Sequence, residues 1–534
     1  MSVGIIASAA YITPELAAEL GALPPAFVPV GNQRLFKAQV ALLSRLVDRI
    51  VLTLPQSFEP TEHDTRLLSR LGVIVQKIPD GLSLCESLTR ALIQSLNGNE
   101  RAVILHGDTL FTEIETFPED GFSVHRGEHL YSWAMVGADQ AQPIQLIDED
   151  TEGDALLVSG LFSVSHGYAF LRCLAAAQTD FLAALNTYMT QCLAFRADLG
   201  LGHWFDFGHI NTYYDSRRAL TTQRSFNALS ITSETVSKTS DDTGKMAAEA
   251  AWFEQLPQSL HGMIPAYLGR LPYGDNRAGY RLSYEYLCPL SDLYVFGAAP
   301  PVVWRRILRN CADVLARMRE FKPDAVNAGW FSALYAAKTK TRLAQFCKDV
   351  AISPALPWRI NGEDMPAPLQ IIEEMAAQIG QPQDGDVGIL HGDFCFSNIL
   401  FDFRRGCLKL IDPRGYIEPG CPSVFGDTRY DLGKLYQSIA GRYDFIVAGY
   451  YDLASDGDYG LRFTVPAAKG GGQIEVFFRQ IICGGDAARE RTAAAIAVLL
   501  FFSMLPLHGD DRGRQWALFA NGYRLYRDHF AVAA

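Results

Sequence analysis

Two hydrophobic rhythms alternate through the first two hundred residues. Short β-branched runs at Ile50–Leu54 (IVLTL), Gly72–Gln76 and Ala102–Leu105 have the length and composition of buried strands. Between them, Leu35–Leu46 and Leu84–Leu96 repeat apolar residues at helical spacing. The opening MSVGIIASAAYI is apolar with no basic stretch before it, and reads as a first strand and not as a signal peptide. Strands separated by helices predict a parallel α/β sheet. The texture changes after about residue 220. A hairpin is expected over Ser225–Ser240, a helix over Lys245–Leu256 and a strand over Arg281–Cys288. The rest is mostly helical, apart from a hairpin near 387–412. With no internal repeat and no low-complexity linker, this change of pattern sets the expected domains at 1–222 and 223–534, the latter with a small lobe to about 288 and a large lobe beyond it.

Length supports that division, since single cores stop growing near ~250–300 residues and this chain has 534. A net charge of −12 argues against a nucleic-acid or anionic-membrane binder, while leaving room for a local basic pocket. Ten cysteines without a CxxC pair fit reduced thiols in a cytoplasm. The apolar stretch Thr492–Leu507 is interrupted by Ser503 and Pro506 and is short for a membrane span, so a buried helix is expected there.

The most informative segment is VGILHGDFCFSNILFDFRRGCLKLIDPRG, residues 387–415. Asn398 follows Asp393 by five residues, and Asp412 follows Asn398 by fourteen at the end of an apolar run. Two acids and an amide so spaced suit a base and a divalent metal in phosphoryl transfer. The LHGDFCFSNILFD and LIDPRG motifs resemble the aminoglycoside phosphotransferase and choline kinase family over roughly 223–534. The resemblance implies a two-lobed protein-kinase-like fold and the use of ATP and Mg²⁺. Asp393 would then orient the acceptor hydroxyl and accept its proton, Asn398 and Asp412 would hold the metal, and His391 would brace the loop. It also implies a phosphate-binding lysine and an orienting glutamate. Lys238 and Glu249 are the candidates, with Lys245 as a rival lysine. No GxGxxG precedes Lys238, so backbone amides around Ser230–Glu234 would cover the phosphates, and Glu285, Tyr286 and Leu287 in YEYL would form the adenine-reading hinge. In GDTRYDLGKL, Asp427 and Asp431 are assigned to helix capping and to tying down the catalytic loop, and Arg414 is balanced between phosphate contact and acid pairing.

In the N-terminal half, PPAFVPVGNQRL, VILHGDTLF and WFDFGHINTYY in this order resemble the sugar-phosphate nucleotidyltransferases over about 1–220, implying a doubly wound α/β fold. Asp108 and Asp206 fall where that family binds its catalytic metal. Their local alternatives are a turn after a strand for Asp108 and a helix cap for Asp206. The family's GxGxRL loop is missing: IIASAAYITPEL stands there, and Pro25 stands where active members carry a lysine. The domain is therefore either a divergent transferase, with Arg34 or Lys37 supplying the phosphate charge, or a retired binding domain.

His106, His203 and His209 lie near the two acids in sequence. Trp204, Trp252, Trp304 and Trp330 are expected in cores or at a lobe interface. Tyr416, Phe425, Tyr430 and Tyr436 are candidates for an aromatic cage around a quaternary ammonium. The combined expectation is phosphorylation of a small-molecule hydroxyl (a sugar, choline or similar alcohol). Nucleotidyl transfer onto the product with a second nucleoside triphosphate would follow if the first domain is active, a pairing suited to capsular or other surface polysaccharide or headgroup synthesis. The alternatives are a non-catalytic nucleotide- or metabolite-binding regulator and an aminoglycoside-inactivating kinase.

Overall fold

The β-branched runs of the N-terminal half pair with one another inside a single sheet. In the computed structural model the described residues are 1–126, 134–136, 145–146, 156–192, 196–199, 202–220, 228–271, 277–325, 334–418 and 420–531. The chain divides into two units, Met1–Leu220 and Thr221–Ala534.

In the first unit, Val73–Ile78, Arg49–Pro55, Ser2–Ala7 and Arg101–His106 lie parallel in that spatial order, and Leu156–Val164 pairs antiparallel with the last. The order runs outward from Ser2–Ala7 in both directions. Right-handed crossovers therefore place helices on both faces, the doubly wound arrangement expected. Helix Leu84–Ser95 starts at a Ser83–Glu86 capping box and sends Leu88 and Leu92 into a core with Ile5, Ile104 and Phe162. The topological switch point lies between Ser2–Ala7 and Arg101–His106, in register at Ala7 and His106. Gly107 N donates to Ala7 O at 2.9 Å across it, and a Cβ there would stand 2.7 Å from that oxygen. Asp108 is the next side chain, at the carboxyl ends of the strands where such folds bind ligands.

The second unit begins with a four-stranded antiparallel sheet, in the order Ala228–Ile231, Thr235–Ser240, Ala278–Ser283, Tyr267–Arg270, and carries helix Thr243–Gln255. Of the expected hairpin, residues 225–227 lie outside the described residues. The strand expected over Arg281–Cys288 is shifted: it spans Ala278–Ser283 and ends where Tyr284 N turns to Glu234 O at 2.7 Å. Cys288–Pro289 then pairs with Ile399–Asp402 of the larger lobe. That lobe is mainly helical, with Pro301–Glu320, Ala336–Val350, Pro368–Ile379, Arg429–Ile439, Ala487–Ser503 and Arg512–His529 as its long helices among the described residues. Ala493 to Ser503 are all buried, as expected for an internal helix. Among the described residues no helix is long and apolar enough to cross a membrane. Trp252 reaches from the small-lobe helix to donate to Leu390 O at 2.9 Å, a buried tie between the lobes. Trp304 is buried in the large lobe, and Trp330 lies outside the described residues.

Candidate functional site

A hairpin pairs Ile399–Asp402 with Cys407–Leu410, in register at Ile399 and Leu410, and Ile411 N continues the ladder to Asn398 O at 3.0 Å. Asn398 and Asp412 are thereby brought to the same end of the hairpin. Asp412 adopts a left-handed backbone (φ 55°), an uncommon conformation for a residue other than glycine, and its side chain is 42% exposed. Asp431, fully buried, accepts from His391 N and Gly392 N, both at 2.8 Å, and so pins the loop before Asp393. Gly392 is also left-handed, and a Cβ there would stand 2.6 Å from Arg414 Cβ. His391 is fully buried, accepts from Asp393 N at 3.3 Å and is pushed down to about 4 by burial. It braces the loop as a neutral ring.

Asp393 emerges from this support with its side chain 38% exposed. Lys434 Nζ lies 2.8 Å from one carboxylate oxygen, and Asn398 Nδ2 donates to the other at 2.9 Å. Burial opposes ionisation, but Lys434 most of all, then His391 and Asn398, hold the carboxyl down at about 2. The reading of the motifs missed Lys434, although it stands in GDTRYDLGKL. Its only signal was its position one helical turn beyond Tyr430.

Lys238, on strand Thr235–Ser240, is buried between two carboxylates: Glu249 Oε2 at 2.8 Å and Asp412 Oδ1 at 3.2 Å. Glu249 comes from the following helix and also accepts from Tyr280 OH at 2.9 Å. Burial alone would lower Lys238, but Asp412 and Glu249 outweigh it and raise its affinity for a proton. Lys245, the rival, is 3.8 Å from the other Glu249 oxygen with its side chain 35% exposed. Glu285, Tyr286 and Leu287 connect the small-lobe sheet to the large lobe. Leu287 N donates to Glu285 O at 2.8 Å and Tyr286 OH to Ser233 O at 2.9 Å. In the turn expected to cover phosphates, the Glu234 and Thr235 amides already donate to Thr232 Oγ1 at 3.3 and 3.0 Å.

The proposed aromatic cage is not open to a ligand cation, because the protein's own cations occupy it. Arg414 lies over the Tyr416 ring at 5.0 Å and donates to Ile417 O at 3.0 Å. Lys338 Nζ donates to the buried Tyr430 hydroxyl at 3.0 Å. Tyr436 is buried, with its hydroxyl 2.9 Å from His529 Nε2.

In the N-terminal unit, His203–Asp206 pairs with Thr109–Thr112, in register at Asp206 and Thr109, and Phe207 N donates to Asp108 O at 2.8 Å. The two acids converge on Gly208: a Cβ there would lie 2.7 Å from Asp108 Oδ2 and 3.3 Å from Asp206 Oδ1. Burial first, and the Asp206 charge second, push Asp108 up to about 6. Asp206 does not cap the next helix, since His209 holds that position; Asp206 instead accepts from Gly208 N at 3.2 Å. His209 Nδ1 lies 3.7 Å from Asp206 and is shifted upward by it. His106 packs against Phe162 and Phe181, and burial lowers it to about 4. His203 is exposed. Buried Gln39 donates to the carbonyls of His106, Gly107 and Thr109, fixing the loop that carries Asp108. Arg34 is consumed inside the fold: it pairs with Asp64 at 3.2 Å and donates to Phe27 O, so it is not placed to supply phosphate charge. Lys37 is exposed. Among the described residues no cluster of three or more His, Cys, Asp or Glu side chains could hold a metal, so each candidate site rests on two protein groups.

Residues 235–459 match the model of the phosphotransferase enzyme family, APH, in agreement with the resemblance read from the motifs. Among solved structures, aminoglycoside phosphotransferase APH(4)-Ia in a ternary complex with ADP and hygromycin B is 12% identical. The match covers 58% of this chain and 95% of that one, with a TM-score of 0.36. The GDP and kanamycin complex of APH(2")-IIIa is 13% identical over 58% and 92% of the two chains, TM-score 0.35. For the N-terminal half, the inositol-1-phosphate CTP transferase from T. maritima is 15% identical over 41% and 95%, TM-score 0.32. No curated relative matches the chain.

Proposed function

We propose that the C-terminal unit is an ATP- and Mg²⁺-dependent kinase that phosphorylates a hydroxyl of a small molecule. The observation that carries this reading is Lys238 held between Glu249 and Asp412 at 2.8 and 3.2 Å, with Asp393 on the hairpin that also delivers Asp412. A buried lysine fixed from two sides is a preorganised charge for nucleotide phosphates. Asn398 and half-exposed Asp412 present hard oxygens, a donor set that suits a small divalent cation. Mg²⁺ held there would neutralise charge on the transferred phosphoryl group.

The chain's own residues do the rest. Glu249 and Tyr280 keep Lys238 from swinging. Asp431 and Gly392 set the loop so that Asp393 faces the acceptor. With its carboxyl held near 2, Asp393 is a weak base at neutral pH, so its main task is to orient the acceptor oxygen. That suffices where the transition state is loose and the hydroxyl proton leaves late. Lys434 and Asn398 each hold one carboxylate oxygen of Asp393 and so fix the plane of the carboxylate. The test is acceptor-dependent ADP release by the purified chain, screened over sugars, sugar alcohols, choline, ethanolamine and aminoglycosides. Turnover should vanish in Asp393→Asn. ATP binding without turnover on any acceptor would favour a regulatory nucleotide-binding protein.

The convergence of Asp108 and Asp206 on Gly208 supports a second reading, nucleotidyl transfer by the N-terminal unit onto the phosphorylated product. Two carboxylates this close, one of them pushed up to about 6, suit a divalent cation that would relieve their repulsion. The fused activities would make an activated sugar or alcohol for surface polysaccharide or headgroup synthesis. Pyrophosphate release from each nucleoside triphosphate, lost in Asp108→Asn, tests it.

A further inference from the structure

Three cations gather around Tyr430 from two elements. Lys338 and Arg342 lie one turn apart on helix Ala336–Val350, and Arg414 follows Asp412 on the hairpin exit. Lys338 Nζ is 3.0 Å and Arg414 Nη1 3.5 Å from the Tyr430 hydroxyl. Arg342 is near enough to Lys338, Arg414 and Tyr430 to perturb their charges. Tyr430 in turn sits one turn before Lys434, the partner of Asp393. Residues so spaced on a helix have Cβ atoms about 6 Å apart.

No carboxylate among the described residues lies within 4.0 Å of Lys338, Arg342 or Arg414. The nearby acids are already engaged: Asp393 by Lys434, Asp431 by two loop amides, and Asp427 by Arg429 and Tyr335. A guanidinium has five N–H donors. Arg342 spends one on Ser503 O at 3.3 Å; Arg414 spends two, on Tyr430 and Ile417. All three cations are partly exposed, so the cluster can be reached from solvent. Half-buried positive charge is costly, and the protein's own response is visible: burial first, then Arg414 and Arg342, lower Lys338 to about 8, while Tyr430, which burial would raise, is pulled down to about 7 by Lys338, Arg414 and Lys434 and offers the three cations a partial counter-charge.

We propose that the acceptor alcohol carries an anionic group, phosphate or carboxylate, which Lys338, Arg342 and Arg414 bind while its hydroxyl faces Asp393. The proposal rests on the kinase reading and narrows its substrate. Like charge excludes polycations such as aminoglycosides and disfavours quaternary amines, whose cage is already filled.

Two measurements on the full chain separate the two claims. In the first, ADP release is compared across neutral sugars, choline, kanamycin, hexose phosphates, glycerol phosphate, uronic acids and glycerate. Turnover is expected only with anionic acceptors, and the phosphate and carboxylate arms identify which group is read. In Lys338→Met and Arg342→Gln, the acceptor KM should rise at least tenfold while the KM for ATP stays within twofold; Lys338→Arg should recover most of the loss. Efficient turnover of a neutral or cationic acceptor, with a KM unmoved by these variants, overturns the proposal. In the second, calorimetry measures inorganic phosphate binding with the nucleotide site filled by Mg·ADP. Binding that is lost in Lys338→Met, in a variant whose melting temperature is unchanged, supports the subsite even if no acceptor turns over, in which case the kinase reading alone fails. Absence of phosphate binding to the unmodified chain overturns the subsite even if a kinase is found.

Discussion

Replacing Glu249 with alanine removes the acid that holds Lys238 from one side. Glu249 and Lys238 are 2% and 5% exposed, so the pair is desolvated. Breaking a buried pair from one side costs about 3–5 kcal/mol. Lys238 keeps Asp412 at 3.2 Å, but that carboxylate is 42% exposed and screened, so it offsets only part of the loss. Tyr280 also loses its acceptor, a cost of about 1–3 kcal/mol. Both donors use the same oxygen, so the costs overlap, and about 4 kcal/mol is expected. At an unfolding entropy of about 2.1 cal/mol/K per residue, a unit of the size of Thr221–Ala534 should melt about 6 °C lower. Acceptor-dependent kcat/KM should fall about 100-fold, since a displaced lysine no longer meets the phosphates. Glu249→Gln retains an acceptor for Tyr280 and Lys238 and should recover most of the stability but little of the activity. Scanning calorimetry and ADP release measure the two effects. A melting shift below 2 °C with unchanged kcat/KM would show that Asp412 alone positions Lys238, and the reasoning would fail.

Asp393→Asn should cost about 10²- to 10⁴-fold in kcat with unchanged ATP affinity, read by turnover and nucleotide titration. Gly415→Ala should destabilise the C-terminal unit by about 3 kcal/mol in denaturant unfolding, because Gly415 is left-handed and a Cβ would stand 2.3 Å from Ala248 O, beside Glu249. His391, held neutral with its pKa down at about 4, contributes stability that is intact above the ordinary histidine value and is lost as pH falls from about 6.5 toward 4. The loss should reach about 2 kcal/mol at pH 5, and the stability gap to His391→Gln should narrow by that amount between pH 7 and pH 5. Asp108 has the opposite sign for a carboxyl. Its folded pKa is raised to about 6, so the stability of the N-terminal unit is fullest below about 4 and falls by about 2 kcal/mol as pH rises through 6, after allowance for partial burial. Mg²⁺ should restore that loss at pH 7 and have little effect at pH 5 or on Asp108→Asn, measured by thermal unfolding.

What the chain order alone determined was the material of each element and the motif that carries the chemistry. The β-branched runs became the parallel strands because a strand buried on both faces must be apolar throughout. The interval between Asn398 and Asp412 became the two arms of a hairpin because the intervening residues alternate into a ladder. Tertiary structure decided what those residues touch. The expected strand at Arg281–Cys288 lies at Ala278–Ser283 because its pairing with Thr235–Ser240, from Thr235 opposite Ser283 to Ser240 opposite Ala278, sets both of its ends. Arg34 could pass for a phosphate ligand until the fold placed Asp64 beside it, and Tyr416 and Tyr430 for a cage until Arg414 and Lys338 occupied them. Lys434 gave no motif because its partner Asp393 lies forty-one positions earlier and meets it only when helix Arg429–Ile439 packs behind the loop. Local periodicity is encoded by neighbours a few residues apart, whereas charge, burial and proton affinity at a site depend on side chains that folding brings together from distant positions.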